Sequence, residues 1–286
     1  MINETDAMRA EMLVQALPYL QKYRGKVIVI KYGGNAMQSE ELKRLVMRDV
    51  VLLSMVGLKV VVVHGGGPEI TDMLKRVGKK SEFVDGLRVT DKESAEIVQM
   101  VLAGKVNKNL VNILQSCGGK SVGLSGMDGH LIEAKIKDER LGYVGEITKI
   151  NIGIVEDVLE KGYIPVISTV GCDNDGNIYN INADTAAARI AGVLGAESLF
   201  MMTDIRGVLK DKNDPESLMK KIYVSDARQL ENKGIISGGM IPKVECCIEA
   251  IRRGVEKVFV IDGRVPHSML IELFTDEGLG TMFVGG

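Results

Sequence analysis

The stretch KVIVIKYGG, residues 26–34, decides the fold, because a short run rich in β-branched residues ends in a lysine, a tyrosine and two glycines. The pattern returns in LKVVVVHGGGP, residues 58–68. Nearly continuous apolar character is typical of strands that are covered on both faces. Six runs of this kind lie at 26–32, 58–64, 121–126, 163–170, 197–204 and 256–262.

Helical patterns fill the gaps between these runs. Such alternation predicts an α/β fold with a largely parallel sheet flanked by helices. Residues 130–150 differ, since they alternate apolar and polar residues around two glycines, which predicts a β-hairpin inserted at one edge. Residues 171–179 form a polar turn cluster, and we place a boundary between two lobes there.

Residues 1–24 precede the first strand and have the pattern of an amphipathic helix. Pro18 should kink or divide this helix, because proline removes a backbone donor and clashes with the preceding turn. An apolar stripe outside the sheet must be buried, either on its own domain or against another subunit, and the sequence favours neither. The stripe consists of Met8, Leu13, Leu17 and Leu20.

Composition excludes several classes of function. With 36 basic and 38 acidic residues the net charge is -2, so no basic field is available for nucleic acid. No apolar run approaches the roughly 18 residues that a membrane span needs, and the N-terminus has no signal-peptide core. The four cysteines form no C-x-x-C pair, which favours buried thiols in a reducing compartment. We therefore expect a cytoplasmic protein.

Glycine turns follow the first two runs, at the ends of strands where open α/β sheets bind their ligands. Lys31 precedes Gly33 and Gly34, and His64 precedes three glycines, 65–67. Glycine lets backbone amides approach an anion, and a helix start adds a favourable dipole. The turns predict a cradle for a phosphoryl group, although they could simply be tight turns. The P-loop, dinucleotide and protein-kinase signatures are absent.

Polar residues elsewhere also suggest a binding cleft. Asn180, Asn182 and Asp184 alternate, so in an extended segment their side chains would share one face, although Asn182 or Asp184 could instead cap the next helix. Lys243 lies at a helix start, where an anion would offset its conflict with the helix dipole. Arg88 offers a fork that matches a carboxylate, and its alternative is a solvated surface arginine.

These motifs together resemble the amino acid kinase family, and more narrowly its branch that acts on N-acetyl-L-glutamate. The resemblance covers nearly the whole chain, and its most specific parts are YNINADTAAARIA, 179–191, and GGMIPKVE, 238–245. It implies a three-layer αβα sandwich. It also implies transfer of the γ-phosphoryl group of ATP to the side-chain carboxylate of N-acetyl-L-glutamate in arginine biosynthesis, with Mg²⁺ bound through the nucleotide phosphates and no dedicated metal cage.

The resemblance also implies roles for single residues. Lys31 would stabilise the transferring phosphoryl group and Lys243 the leaving ADP, with Asp184 holding both lysines. Backbone amides of Gly34 and Gly66 would line the phosphoryl site. The substrate residues would be Gly66, Gly67, Arg88 and Asn180, and the nucleotide residues would be Asp204, Gly207, Leu209 and Ile236.

Three segments follow from this resemblance. Residues 1–24 would serve oligomerisation or regulation, residues 25–178 would form the acetylglutamate-binding lobe, and residues 179–286 the nucleotide-binding lobe. The leading helix resembles the extension of arginine-inhibited members, which are hexamers built as trimers of dimers. We therefore expect a homo-oligomer of this kind.

L-arginine is the inhibitor that the resemblance implies. His267, Glu272 and Gly278 match residues of the inhibitor site, and a guanidinium paired with Glu272 is chemically sensible. Ser198 departs from the pattern, because arginine-sensitive relatives often carry lysine at this position. The plainer interpretation of residues 265–286 is a closing helix and strand.

Other functions stay open at this stage. Within the family, the chain could be a carbamate kinase, a glutamate 5-kinase or an aspartokinase. A non-catalytic arginine-binding regulator would have lost Lys31, Asp184 or Lys243, all of which are present. A nucleotide-binding dehydrogenase is disfavoured, because the chain lacks its fingerprint.

Overall fold

The computed structural model of the protein describes residues 4–37 and 39–286. Fourteen strands lie within these residues: β1 Val27–Tyr32, β2 Lys59–His64, β3 Phe83–Val84, β4 Leu87–Arg88, β5 Ser121–Ser125, β6 Ile132–Ile136, β7 Gly145–Ile150, β8 Ile164–Ser168, β9 Val170–Cys172, β10 Ile178–Asn180, β11 Ser198–Thr203, β12 Lys221–Tyr223, β13 Lys257–Asp262 and β14 Thr281–Val284.

The same residues contain eleven α-helices: α1 Glu4–Gln15, α2 Leu17–Tyr23, α3 Glu40–Met55, α4 Gly67–Arg76, α5 Lys92–Gln99, α6 Asn107–Ser116, α7 Gly153–Glu160, α8 Ala183–Val193, α9 Ala227–Asn232, α10 Met240–Arg252 and α11 Ser268–Phe274. A π-helix, Met100–Val106, joins α5 to α6. Short 3-10 turns lie at Gly34–Met37, Asp128–His130, Glu139–Leu141 and Pro215–Ser217. None of the helices described is both long and apolar enough to cross a membrane.

All six apolar runs form strands of one eight-stranded sheet, in the order β12-β14-β13-β11-β1-β2-β8-β5. Six neighbouring strands of this sheet run parallel to one another: β13, β11, β1, β2, β8 and β5. The other two strands, β14 and β12, run in the opposite direction. The predicted α/β fold with a largely parallel sheet is confirmed. Strands that precede residue 170 fill one half of the sheet and strands that follow residue 197 fill the other, so β1 and β11 meet in the middle.

Two hydrophobic clusters cover the two faces of this sheet, which explains why its strands are apolar at every position. On β1, Val29 belongs to one cluster while Ile28 and Ile30 belong to the other. Helices α7, α8, α9 and α10 pack on the first face, and α3, α4, α5, α6 and α11 pack on the second. The architecture is therefore a three-layer αβα sandwich, as expected.

The segment 130–150 forms the predicted hairpin, since β6 and β7 pair antiparallel. It does not extend the edge of the main sheet. Instead it belongs to a separate four-stranded sheet in the order β10-β9-β6-β7, because Glu133 of β6 pairs with Cys172 of β9. The polar cluster 171–179 supplies the turn between β9 and β10.

The N-terminal segment divides at Ala16 into α1 and α2, with Pro18 in the first turn of α2, where its missing donor costs nothing. The two helices differ in where their apolar residues lie. In α2, Tyr23 is buried, and the Tyr19 hydroxyl donates a 2.8 Å hydrogen bond to Asp276. In α1, Leu13 is 75% exposed. The expectation that this segment packs on its own chain is thus met by α2, whereas the apolar side chain of Leu13 in α1 stays exposed.

Candidate functional site

A first cavity, of about 250 Å³, opens where the glycine turns after β1 and β2 face the segment that leads into α8. It lies at the carboxyl ends of these parallel strands, where α/β sheets bind ligands. The structure brings seven of the residues singled out in the sequence to this cavity: Lys31, Gly34, Gly66, Gly67, Arg88, Asn180 and Asp184.

A second cavity, of about 550 Å³, lies beyond β11 and beside the start of α10. Lys243 and three of the residues expected at the nucleotide line it, namely Asp204, Gly207 and Leu209. Ile236 does not line this cavity. Its side chain is 2% exposed and packs in the core, while its neighbours Ile235 and Ser237 line the cavity instead.

Asp184 joins the two cavities through a pair of lysines. Lys31 Nζ, in the first cavity, lies 2.8 Å from Asp184 Oδ1, and Lys243 Nζ, in the second, lies 3.1 Å from Oδ2. Two ammonium groups that are 212 positions apart in sequence (243 less 31) thus converge on one carboxylate. Two positive charges and one negative charge leave one net positive charge, which suits a polyanion.

Local structure places these three side chains. Lys31 lies near the carboxyl end of β1, in register with Val63 on β2. Asp184 is the second residue of α8, where a carboxylate interacts favourably with the helix dipole. Lys243 is the fourth residue of α10, and its contact with Asp184 offsets the unfavourable dipole there. The local conflict noted for Lys243 in the sequence therefore has a structural explanation.

Of the two interpretations of residues 180–184, the extended run is wrong and the helix cap is confirmed, because α8 begins at Ala183. Asn182 caps this helix: its side-chain oxygen accepts a 3.0 Å hydrogen bond from the Thr185 backbone amide. Capping is a strong preference of asparagine and removes one unpaired donor at the helix start. Asn180 and Asp184 still meet at the first cavity, because the strand end and the helix start enclose it.

The charge of the bridging carboxylate is fixed by its surroundings. Burial raises the pKa of Asp184, but the charges and hydrogen bonds of Lys31 and Lys243 outweigh burial and lower this pKa to about 2. The carboxylate is therefore ionised at neutral pH. The Lys31 residue is only 8% exposed, so its attraction to an anion is little screened by water.

Arg88 is a buried residue, so its interpretation as a solvated surface arginine is wrong. It is 7% exposed, and its guanidinium lies 4.7 Å from the centre of the Phe83 ring. Its Nη2 donates to Gly67 O at 3.0 Å and to Thr71 Oγ1 at 2.8 Å, and its Nη1 donates to Ser81 Oγ at 2.5 Å. Burial lowers the pKa of Arg88. These contacts fix the fork beside the glycine turn.

The glycine turn after β2 requires glycine for a steric reason. Gly66 immediately precedes α4, and a Cβ built there would lie 2.7 Å from Leu102 Cδ2. A larger residue fits only if the Leu102 side chain, which belongs to the π-helix, shifts. Gly66 and Gly67 line the first cavity, so the start of α4 lies beside it, and a helix start offers an anion backbone amides and the positive end of the helix dipole. On the other side, Asn180 Nδ2 donates to Thr90 Oγ1 at 3.2 Å.

Three basic residues of the second cavity escaped the sequence analysis: Arg206, Lys212 and Arg264. Arg206 follows the end of β11, and Arg264 follows the end of β13. The rule that located the glycine turns, which looks at the carboxyl ends of strands, applies equally to these two residues. Lys212 carries no such signal, because it lies in an irregular segment nine residues after its strand.

A third cavity, of about 320 Å³, separates α2 from the C-terminal segment. Glu272 and Gly278 line it, and Glu272 Oε2 accepts hydrogen bonds from the amides of Leu279 and Gly280. His267 lies elsewhere, at the start of α11, where its Nδ1 is 2.7 Å from Asp49 Oδ1.

Ser198 is fully buried in β11, and its register partner on β13, Lys257, lines the third cavity. Residues 265–286 do form the helix and strand of the plainer interpretation, α11 and β14. Within residues 4–37 and 39–286, no three His, Cys, Asp or Glu side chains are grouped closely enough to hold a metal ion.

Comparison with known proteins identifies the family. The family model described as the amino acid kinase family matches residues 26–262. The chain belongs to the amino acid kinase family. This amino acid kinase is therefore an enzyme. It is 56% identical to proteins named acetylglutamate kinase from Brachyspira hyodysenteriae and from Clostridium beijerinckii, over 285 residues in each case and 99% of each chain.

Solved structures agree on the fold of this amino acid kinase. N-acetylglutamate synthase from Neisseria gonorrhoeae, complexed with coenzyme A and N-acetyl-glutamate, superposes with a TM-score of 0.82 at 25% identity. That match covers 97% of this chain and 63% of the synthase chain. Carbamate kinase from Giardia lamblia bound to AMP-PNP gives a TM-score of 0.67 at 17% identity, covering 92% and 99% of the two chains, and shows the fold alone.

Proposed function

We propose that this amino acid kinase transfers the γ-phosphoryl group of ATP to the side-chain carboxylate of N-acetyl-L-glutamate, in the cytoplasm and as a step of arginine biosynthesis. The observation that carries the proposal is the bridge of Lys31, Asp184 and Lys243 between two cavities. The acetylglutamate kinases at 56% identity over 99% of the chain support the choice of substrate.

The reaction asks the protein for alignment and charge rather than for a base. A carboxylate is ionised at neutral pH, so its oxygen can attack the γ-phosphorus directly. The bond between that phosphorus and the oxygen bridging it to the β-phosphate then breaks, which yields an acyl phosphate and ADP. The transition state places negative charge on the equatorial oxygens and on the leaving oxygen. Preorganised donors stabilise such charge most strongly in a water-poor site.

Each lysine has a part in this step. Lys31 lines the first cavity and would contact the transferring phosphoryl group, while Lys243 lines the second and would contact the leaving ADP. Asp184 keeps both ammonium groups in place through its two oxygens. Amides of Gly34 and Gly66 would add neutral donors at the phosphoryl group.

The acceptor would occupy the first cavity. Arg88 would bind the α-carboxylate through its fork, and Gly66, Gly67 and Asn180 would bind the remaining polar atoms. The cavity's volume of about 250 Å³ is close to the lower end of ordinary ligand sites, which fits a small N-acylated amino acid. Apolar side chains complete its wall: Ile70, Leu87, Leu102, Val144 and Ile181.

ATP would occupy the second cavity, beside Asp204, Gly207, Leu209 and the backbone near Ile236. The basic side chains that line this cavity fit a polyphosphate: Arg206, Lys212, Lys243 and Arg264. Mg²⁺ carried on the phosphates would neutralise part of their charge while keeping several waters. In this arrangement residues 25–178 form the acetylglutamate-binding lobe and residues 179–286 the nucleotide-binding lobe.

Regulation by L-arginine is the finer part of the proposal. The inhibitor would bind in the third cavity with its guanidinium near Glu272 and beside Gly278, and His267 would act from the neighbouring helix start. Lys257 lines the same cavity and offers an ammonium group for a carboxylate where Ser198 is buried. The exposed stripe of α1 would pair between subunits and link dimers into a hexamer.

A substrate panel tests the proposed function. ADP release is measured with N-acetyl-L-glutamate, glutamate, aspartate and carbamate, each with and without arginine. We expect turnover on N-acetyl-L-glutamate that exceeds the others by at least about 100-fold, because a buried polar site discriminates strongly between acceptors, and we expect inhibition by arginine. Equal turnover on free glutamate would contradict N-acetyl-L-glutamate as the specific acceptor. No turnover on any of the four compounds would favour a non-catalytic arginine-binding regulator.

A further inference from the structure

His64 lies directly behind the glycine turn of the first cavity, and the proposed reaction does not use it. The residue is fully buried. Both ring nitrogens are bonded: Nδ1 lies 2.8 Å from Gly65 O, and Nε2 lies 3.1 Å from Asn107 Nδ2. A carbonyl oxygen can only accept and an amide nitrogen can only donate. The ring proton therefore lies on Nδ1, and Nε2 accepts.

Asn107 fixes this arrangement from the other side. It is 1% exposed, and its Nδ2 also faces the carbonyl oxygens of Val166, at 2.8 Å, and Leu124, at 3.2 Å. With two carbonyl oxygens on that side, the amide group must present its nitrogen there and cannot be turned over. Its oxygen accepts from Lys108 Nζ at 3.2 Å. The two Nδ2 hydrogens serve three acceptors, so one hydrogen is shared between a carbonyl oxygen and His64 Nε2, and this contact agrees with the tautomer that the Gly65 carbonyl sets.

The peptide that links Gly65 to Gly66 transmits this contact to the cavity. A trans peptide holds its carbonyl oxygen and its amide hydrogen on opposite sides of one plane, and the described chain contains no cis peptide. Because the Gly65 carbonyl points inward to His64, the Gly66 amide hydrogen points the other way, toward the cavity that Gly66 lines. A ring inside the core therefore orients a backbone donor at the surface of the site.

The ring remains neutral under ordinary conditions. Burial lowers the pKa of His64 to about 4, with the nearby charge of Lys108 acting in the same direction and the bond to Gly65 opposing them. A neutral ring keeps the lone pair on Nε2 that Asn107 requires. Protonation would place two donors face to face in a buried site, which is unfavourable.

We propose that His64 and Asn107 are positioning residues, which hold the Gly66 amide toward the transferring phosphoryl group. Neither side chain touches the substrate, and both act through the peptide between Gly65 and Gly66. The inference rests on the proposed role of this glycine turn in phosphoryl transfer, and it adds the device that keeps the turn in one orientation.

Two substitutions of His64 separate its two bonds. In His64→Asn the side-chain amide nitrogen can take the place of Nδ1 and still donate to Gly65 O. In His64→Gln the side-chain oxygen can take the place of Nε2 and accept from Asn107, but the side-chain nitrogen does not reach the Gly65 carbonyl. We expect H64Q to lower kcat by roughly 10- to 100-fold, since an oriented amide donor acts mainly in the transition state. We expect H64N to recover most of that loss.

The readouts distinguish positioning from general damage. The KM for the acceptor should change less than kcat does in both variants, because Arg88, Gly67 and Asn180 still bind the acceptor when the Gly66 amide turns away, and the larger loss falls on the transition state. His130→Asn, a change at an exposed histidine outside the cavity, serves as the matched control and should leave kcat unchanged. Equal kcat in H64N and H64Q, at any level, would overturn the proposal, and so would a higher kcat in H64Q.

A second measurement uses the unmodified enzyme and so does not depend on whether the variants fold. Long-range proton–nitrogen spectra of histidine-labelled protein should show the buried ring neutral, with its proton on Nδ1. A proton on Nε2, or a charged ring at neutral pH, would overturn the proposal. Wild-type turnover on N-acetyl-L-glutamate is measured first, so that failure of the proposed function is seen separately from failure of this inference.

Discussion

Lys31 and Lys243 approach the same carboxylate from two cavities. Removing either lysine should therefore cost the enzyme a different part of its transition-state stabilisation. We expect Lys31→Ala and Lys243→Ala each to lower kcat by two or more orders of magnitude, because each removes a charge used mainly in the transition state. Steady-state kinetics on N-acetyl-L-glutamate measure this. Lys161→Ala, at an exposed lysine, is the control. Near-normal turnover in either variant would remove that lysine from the mechanism.

Asp184 should also contribute stability that depends on pH. Its folded pKa of about 2 is below the ordinary value of 3.8, so the ionised form is favoured in the folded state. The contribution, roughly 2 kcal/mol, is fully present above about pH 4 and is lost as pH falls toward about 2.

Asp184→Asn removes this titration, so the free energy of unfolding of the variant should fall less between pH 5 and pH 2 than that of the wild type. Denaturant unfolding at several pH values measures the difference. Parallel pH profiles for the two proteins would contradict the assigned ion pairs.

At the scale of elements, the π-helix and the glycine turn constrain each other. A Cβ on Gly66 would lie 2.7 Å from Leu102 Cδ2, whereas a Cβ on Gly67 would meet no atom within 4 Å. We expect Gly66→Ala to lower the free energy of unfolding by about 1–3 kcal/mol through overpacking. Gly67→Ala is the matched control and should cost much less.

A double-mutant cycle isolates the cause of that loss. In a Leu102→Ala background the cost of Gly66→Ala should shrink, because the side chain that it meets has been removed. Denaturant unfolding of the four proteins gives the coupling energy. Additive costs would show that Leu102 is not what excludes a side chain at Gly66.

The strands and helices around the site show how much of the structure can be predicted from the sequence. All six strands of apolar character were found, because strands buried on both faces leave an unmistakable run of β-branched residues. The sequence leaves two interpretations open before Ala183, a helix cap and an extended run, since a capping asparagine and an extended polar residue look alike without their neighbours. The contact between His64 and Asn107 could not be predicted, because 43 positions separate them and the fold alone brings them together.

At the scale of the whole molecule, α1 presents several exposed apolar side chains in one chain. Met8 and Leu13 are 62% and 75% exposed, while α2 is fastened through Tyr19 to Asp276. We expect deletion of residues 1–15, which spares α2, to lower the order of the oligomer and weaken arginine inhibition, with kcat nearly unchanged. Light scattering and inhibition curves measure both.

The double substitution of Met8 and Leu13 by aspartate should reproduce the effect of the deletion, because it removes the apolar stripe but keeps the helix length. An unchanged assembly in both variants would place the subunit contacts elsewhere on the molecule and leave α1 without a role in them.

The whole arrangement depends on one distance relation, that both lysines reach the same phosphoryl group in the closed enzyme. A crystal structure with ADP, N-acetyl-L-glutamate and a planar fluoride mimic of the phosphoryl group measures it directly. We predict Lys31 Nζ and Lys243 Nζ each within about 3 Å of the mimic or of its leaving oxygen, on opposite sides, with Asp184 still between them. A mimic held by other groups, with either ammonium pointing away, would contradict this mechanism.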